Sequence, residues 1–303
     1  MDADGLEVFS NLVPLARRNE FLSRVMGIGG VSANDVWASP FGASIFFGSS
    51  GWELFRHVVR NQRRFVVESP VINLLRGANA ANQSFQRTVP SGTTLFRAQG
   101  HQHTEQTTPL TKERLKAPPP ELATAGRANA SGISVLYVAE TVETAVAEVR
   151  PFTGGFISVG TCRALQDIRV FDLSGRLELL GRDPFAPGFL KELEIAILAS
   201  KLDEAFAEPI APFTSERDYA PTQFVAELLA NEGYGGIRYR SALSPGGFNY
   251  VFFAPSMFEI DYSHSVQVTG VEVSFKPHVF YSLSAALQQL TEPEELETAD
   301  PPD

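Results

Sequence analysis

Three polar residues, Arg97, Glu148 and Ser241, stand in contexts that packing alone does not explain. Arg97 lies inside the apolar run LFRA at 95–98, which is typical of a strand. Strand alternation places its side chain on the face opposite Phe96, and a buried arginine requires an anion. That anion is either a ligand or an acidic side chain of the protein, so an anion-binding role and a structural salt bridge both remain open.

Glu148 lies near the end of a helix that the sequence predicts from Thr141 to Val149, with Thr141 as the N-cap. Its neighbours Ala145 and Ala147 are small and leave room for a ligand beside the carboxylate. Small residues equally allow a helix to pack closely against a sheet. The helix therefore provides either a binding carboxylate or a packing surface.

Ser241 follows a glycine-rich turn and a short strand in the segment GYGGIRYRSA, 233–242. It has no Ser-His-Asp context and no Gly-x-Ser-x-Gly turn, which makes it a poor candidate for a hydrolase nucleophile. A second turn, 126–132, concentrates Gly, Arg127 and Asn129 and leads into a strand that carries Tyr137.

The elements around these residues form an alternation of short strands and longer helices. Strands are predicted at 93–98, 134–139, 156–160, 168–171, 236–240, 250–253 and 266–275, and helices at 141–149, 188–206 and 221–230. Pro221 suits the first turn of the last helix. Hairpin-like pairs outnumber βαβ crossovers, so the sequence predicts an α+β fold with a mainly antiparallel sheet.

The region before this pattern, 1–88, is predicted to be helical. Apolar residues repeat at helical spacing from Leu6 to Leu15 and again from Leu54 to Val59. The region has no acid, base or nucleophile at motif spacing, so we expect it to serve docking or regulation. The predicted division is a helical region 1–88, a main domain 89–285 and an acidic tail 286–303.

Charge and composition exclude several function classes. The net charge of −10 argues against a nucleic-acid binder, which needs a basic surface. No apolar run reaches the ~20 residues of a membrane span, and the acidic N-terminus does not resemble a signal peptide. A single cysteine, Cys162, suits a reducing cytoplasm. His101 and His103 lack a third ligand in register, so no metal is expected.

Taken together, the three segments resemble the RES family, which is named for its Arg, Glu and Ser. The segments are LFRA around Arg97, GRANASGISVLYVAETVETAVAEVR before and around Glu148, and YAPTQ, GYGGIRYRSA and GGFN around Ser241. The resemblance spans about 91–255 and leaves 1–88 uncovered. It departs at Ala128, where the family more often has an aromatic residue.

The resemblance implies an ADP-ribosyltransferase-like fold and a reaction at the nicotinamide–ribosyl bond of NAD, as substrate. Glu148 would stabilise the positive charge that develops on the ribose. Arg97 would bind the pyrophosphate, Tyr137 would stack on nicotinamide, and Ser241 would hydrogen-bond the amide or the ribose. Arg127 and Asn129 are further candidates for phosphate or ribose contacts.

Within this resemblance, glycohydrolase, phosphorylase and protein ADP-ribosyltransferase activities all stay open, and a non-catalytic module that binds NAD or a partner is the alternative. Several members of the family are bacterial toxins. The resemblance therefore implies a toxin that acts in the cytoplasm, either of its own cell or of a target cell to which it is delivered. It also implies an antitoxin or immunity protein as its partner. The sequence leaves the oligomeric state open.

Overall fold

The computed structural model describes residues 47–65, 67, 69–81, 85–101, 107–175, 189–208 and 215–272. The predicted helix from Leu6 to Leu15, His103 and the acidic segment 292–303 lie outside the described residues. The elements below belong to the first of two compact units, residues 1–269.

Eight described strands form one sheet in the order β1-β5-β6-β7-β3-β2-β4-β8. They are β1 Gln86–Val89, β2 Thr94–Gly100, β3 Leu136–Ala139, β4 Phe156–Ala164, β5 Ile168–Asp172, β6 Gly236–Arg240, β7 Phe248–Phe252 and β8 Phe258–Gln267. All neighbouring pairs are antiparallel except β5 and β6, which run parallel. The predicted α+β class with a mainly antiparallel sheet after a helical segment is confirmed.

The described helices are α1 Phe47–Asn61, α2 Pro70–Ala81, α3 Lys112–Leu115, α4 Val142–Glu148, α5 Phe189–Ala207 and α6 Glu216–Asn231. α4 begins as predicted: the Thr141 hydroxyl accepts a hydrogen bond from the backbone N–H of Thr144 at 3.1 Å. α6 begins five residues before Pro221, so the prediction of its start is wrong. A capping box formed by Ser215 and Asp218 starts the helix earlier, and Pro221 lies inside it.

The two ends of the sheet also differ from the prediction. β1 was missed because its QRTV sequence has little apolar content. β8 runs from Phe258 to Gln267, whereas the alternation predicted a strand starting at Val266. The sequence of β8 is polar at most positions, since only one face of an edge strand packs on the protein, and alternation therefore signals it weakly.

The N-terminal helices contribute to the main hydrophobic core. Trp52, Phe55 and Val59 lie three and four residues apart, so they share one face of α1, and all three are buried. They belong to the same cluster of buried side chains as Phe171 of β5 and Leu198 of α5. α1 thus packs on α5 and α6, which in turn pack on β6 of the sheet.

The opposite face of the sheet has its own buried cluster, which includes Leu95, Val138, Cys162 and Phe252. Cys162 is fully buried, and burial raises the pKa of its thiol to about 12. A thiol with so high a pKa is inert at neutral pH. Cys162 is therefore a core residue.

Candidate active site

A cleft of about 320 Å³ opens where strands β2 and β3 separate. These strands are paired at Phe96 and Ala139, whereas β2 pairs with β4 along its whole length. The split exposes the middle of both strands to the cleft. Seven lining side chains can bind or react: Arg97, Arg127, Tyr137, Glu148, Arg150, Tyr239 and Asn249.

Glu148 reaches the cleft from the C-terminal end of α4 and meets two donors, one just after β6 and one in β7. The Ser241 hydroxyl donates to Glu148 Oε1 at 2.7 Å, and Asn249 Nδ2 donates to the same oxygen at 2.6 Å. The other oxygen, Oε2, accepts no hydrogen bond from a described residue. The carboxylate is thus held through one oxygen, and Glu148 is an exposed residue.

Ser241 also organises the loop that follows β6. Its hydroxyl oxygen accepts the backbone N–H groups of Leu243, at 3.2 Å, and of Ser244, at 3.0 Å. The loop then packs against α4 so closely that a Cβ on Gly247 would lie 2.3 Å from the Thr144 hydroxyl. Ser241 therefore connects the loop, β6 and the Glu148 carboxylate, and it does not line the cleft.

Arg97 lies at the split itself. Its Nη1 donates to the backbone carbonyl of Tyr137 at 3.3 Å, and its Nε is buried without a hydrogen-bond partner. Burial lowers the pKa of the guanidinium, although the nearby Cys162 and Tyr137 oppose that effect. No acidic side chain in the described part of the chain pairs with Arg97.

Arg127 lies in a tight turn, closed by pairing of Gly126 with Asn129, and lines the cleft. Its Nη1 donates to the carbonyl of Phe206, at the end of α5. On the outer side of the turn, Gln223 Nε2 donates to the carbonyls of Gly126 and Asn129, both at 2.8 Å. α5 and α6 together fix the position of this arginine.

Asn129 is buried inside the same turn and does not line the cleft. Its Nδ2 donates to three backbone carbonyls, those of Thr124, Ala130 and Ile133. Its Oδ1 accepts the hydroxyl of Tyr137 at 3.0 Å. The side chain that the sequence suggested for phosphate or ribose contacts is thus fully engaged within the loop.

Tyr137 lines the cleft with its ring, and its hydroxyl is held on both sides. The hydroxyl donates to Asn129 and accepts the backbone N–H of Ala128 at 3.0 Å. Burial raises the pKa of Tyr137 to about 12. The ring is therefore a neutral, immobilised surface at neutral pH, which suits stacking against a flat group.

Sequence reasoning missed three polar cleft residues, Arg150, Tyr239 and Asn249. Tyr239 is two residues before Ser241 on β6, and strand period places both side chains on one face. Asn249 pairs with Tyr239 across β6 and β7 and with Ala139 across β7 and β3. The alternation of side chains along β6 could have indicated Tyr239. No local sequence pattern indicates that Asn249 contacts Glu148.

A charge network on the opposite face of β6 was also missed. Arg238 Nη1 donates to Asp172 Oδ2 at 3.0 Å, and Arg238 Nε donates to Glu140 Oε1 at 2.9 Å. The guanidinium lies 3.5 Å from the centre of the Phe248 ring. This network connects β5, β6 and β7 with Glu140, the residue that precedes the N-cap of α4.

Among the described residues there is no group of three or more His, Cys, Asp or Glu side chains that could hold a metal ion. No described helix is both long and apolar enough to cross a membrane.

The comparison with curated proteins found no match. A solved structure similar to this chain is the toxin–antitoxin complex MbcT–MbcA of M. tuberculosis, with 13% identity, a TM-score of 0.39, and coverage of 67% of this chain and 94% of that chain. A likeness this low supports no conclusion about this protein. The model of the RES domain family matches residues 94–270, more than half of the 303-residue chain. The chain therefore belongs to the RES domain family.

Proposed function

We propose that this protein cleaves the nicotinamide–ribosyl bond of NAD. The observation that carries the proposal is the arrangement of Glu148, whose Oε1 is held by Ser241 and Asn249 while Oε2 is left for a ligand. It lies in a cleft that also contains Arg97 and Arg127. A fixed carboxylate and separate guanidinium groups match a substrate that develops positive charge near a pyrophosphate.

The reaction breaks the bond between C1′ of the ribose and the pyridinium nitrogen. The bonding electron pair stays on nitrogen, which leaves as neutral nicotinamide. A water oxygen forms the new bond to C1′ and loses one proton to solvent, and the other product is ADP-ribose. Positive charge builds on the ribose as the bond breaks, so a carboxylate held next to it stabilises the transition state more than the ground state.

Arg97 and Arg127 would bind the pyrophosphate. Arg97 lines the cleft, and its guanidinium makes one hydrogen bond within the described residues, to the Tyr137 carbonyl, so it would have further N–H groups to donate to a phosphate oxygen. Tyr137 would provide the flat surface on which nicotinamide stacks, since its hydroxyl is already held by Asn129 and Ala128. In this arrangement Ser241 acts by holding Glu148.

Three other outcomes belong to the same site. Inorganic phosphate in place of water would make the protein a phosphorylase, and a side chain of another protein would make it an ADP-ribosyltransferase. A module that binds NAD without turnover is the non-catalytic alternative. Each acceptor would attack the same ribose carbon beside Glu148, so the products decide among them.

The test is to incubate the purified protein with NAD, with and without phosphate, and to identify the products. We expect nicotinamide in both reactions and a phosphorylated ribose product only if phosphate is the acceptor. Glu148→Gln should reduce turnover at least ~100-fold, the scale for losing one preorganised electrostatic group. The glutamine oxygen can still accept both hydrogen bonds, so the loop should remain in place.

Glu143→Gln is the matched control, because Glu143 is an exposed acid on the same helix that does not line the cleft. It should leave turnover unchanged. Absence of nicotinamide above background from folded, unliganded protein would favour the binding module. Retained activity in Glu148→Gln would remove Glu148 from the reaction.

An enzyme that destroys NAD in the cytoplasm needs restraint, and we propose a separate antitoxin or immunity protein as the partner of a toxin. A blocking group must be anionic or hydrogen-bonding, because it has to replace pyrophosphate at Arg97. The acidic segment 292–303 could act in the same way within the chain. Deleting 292–303 should leave the rate unchanged if the restraint is a separate protein, and a large gain in rate would establish self-inhibition.

A further inference from the structure

Tyr239 is the most deeply buried of the tyrosines that line the cleft. Only 6% of its surface is exposed. Its ring packs against Phe206 of α5 with the ring centres 5.7 Å apart. The residue lies one position before the end of β6 and lines the cleft that contains Glu148.

The hydroxyl of Tyr239 has no hydrogen-bond partner among the described residues. Other buried tyrosines of the same sheet differ in this respect: the Tyr137 hydroxyl donates to Asn129, and the Tyr250 hydroxyl donates to Glu140 at 2.7 Å. Polar groups in folded proteins are almost always hydrogen-bonded, to protein, to water or to a ligand. Since Tyr239 lines the cleft, a ligand in the cleft can supply the missing partner.

The surroundings of Tyr239 define the chemistry of that partner. Burial raises the pKa of Tyr239 well above its ordinary value, and Tyr137, Arg127 and Glu148 are the neighbouring groups that act on it. The phenol therefore remains protonated and can donate. Arg127, whose guanidinium makes one hydrogen bond in the described protein, to Phe206, presents further donors beside it. A ligand group that contacts both Tyr239 and Arg127 must accept hydrogen bonds, and the positive charge of Arg127 favours a negatively charged group. A phosphate oxygen meets both requirements.

We propose that the Tyr239 hydroxyl donates a hydrogen bond to a phosphate oxygen of the bound dinucleotide and completes, with Arg127, the pyrophosphate-binding part of the cleft. This assignment rests on the proposed function, since it takes NAD as the ligand. It adds a neutral donor to a site whose other donors are arginines. The donor is fixed by its own strand and by Phe206, so binding a phosphate would cost little side-chain entropy.

The test measures ligand binding by calorimetry in the Glu148→Gln protein, which should bind NAD without consuming it. The probes are NAD, ADP-ribose, which keeps the pyrophosphate, and nicotinamide, which lacks it. Adding Tyr239→Phe should weaken NAD and ADP-ribose binding about tenfold or more, as expected for a hydrogen bond to a charged group, and leave nicotinamide binding unchanged. Tyr234→Phe, a buried tyrosine of the same core that does not line the cleft, is the matched control and should leave all three affinities unchanged.

The outcomes separate the two proposals. If the Glu148→Gln protein binds neither NAD nor ADP-ribose, the proposed function is wrong and this assignment with it. If it binds both, and Tyr239→Phe leaves ADP-ribose affinity unchanged or weakens only nicotinamide, the assignment alone is overturned. Thermal denaturation gives a second check: without ligand, Tyr239→Phe should unfold at the same or a higher temperature, because the hydroxyl it removes has no partner. A clear loss of stability would show a structural role and overturn the assignment.

Discussion

Ser241 and Glu148 are 93 residues apart in sequence, and the Ser241 hydroxyl donates to Glu148 Oε1 at 2.7 Å. Asn249 Nδ2 reaches the same oxygen at 2.6 Å. The residue that follows β6 and a residue of β7 thus both hold one carboxylate oxygen at the end of α4. Their joint action on a single atom makes the orientation of Glu148 testable.

We expect Ser241→Ala and Asn249→Ala each to reduce NAD turnover, by about tenfold to a hundredfold, because each frees the carboxylate to leave its orientation. The double variant should lose less than the product of the two single losses, since both bonds fix the same oxygen. Steady-state kinetics of the four proteins checks this, with kcat affected more than KM. Strictly multiplicative losses would contradict a shared role.

The packing of α1 changes the expectation for residues 1–88. Trp52 and Phe55 are buried in the main core, and replacing such a side chain with alanine costs about 3–5 kcal/mol. We therefore predict that a fragment 89–303 is not stably folded, and that Trp52→Ala lowers the unfolding temperature markedly. Leu54→Ala, on the same helix but with 62% of its surface exposed, is the control and should have little effect. Circular dichroism during heating measures the unfolding temperatures of the fragment and of the two variants. A folded fragment 89–303 that still consumes NAD would contradict this prediction and favour a purely regulatory role for region 1–88.

The turn that carries Arg127 depends on Gly126. A Cβ at this position would lie 2.7 Å from both Asn129 Oδ1 and the Tyr137 hydroxyl, closer than packing allows. Gly126→Ala should therefore break the Tyr137–Asn129 hydrogen bond, displace the turn and raise KM for NAD by at least about tenfold. Gly100→Ala, where a Cβ would meet nothing within 4 Å, should leave KM unchanged. Unaltered kinetics in Gly126→Ala would show that the turn adjusts without consequence.

The Arg238 network predicts a pH dependence of stability. Burial alone would raise the pKa of Glu140, but hydrogen bonds from Arg238 and Tyr250 hold it below the ordinary value of 4.5. Because the folded pKa lies below the unfolded one, this contribution is fully present above the ordinary pKa and is lost as pH falls through the folded pKa. Glu140→Gln should therefore destabilise the protein at pH 7 and flatten the decline in stability below about pH 5. Urea denaturation between pH 3 and pH 7 measures this, and an acid slope equal to that of the parent protein would contradict it.

Much of the fold was predictable because its signals are local. Thr141 caps α4 as expected, and the alternation around Leu95 and Ile237 identifies β2 and β6. β8 was misplaced because an edge strand buries too little to show a clear apolar pattern. The start of α6 was misplaced because the capping box at Ser215 and Asp218 determines it, and Pro221 is tolerated within the helix.

The sequence by itself determined the residue types, the family resemblance and the three segments that contain Arg97, Glu148 and Ser241. Only the tertiary structure decided which atoms meet. It directs the Ser241 hydroxyl to Glu148 and brings Tyr239 and Asn249 to the cleft. It also places the Asn129 side chain inside a turn, where it accepts the hydroxyl of Tyr137. These contacts join α4, β6 and β7, and no local pattern specifies them, because sheet order and the split between β2 and β3 arise from packing of the whole domain.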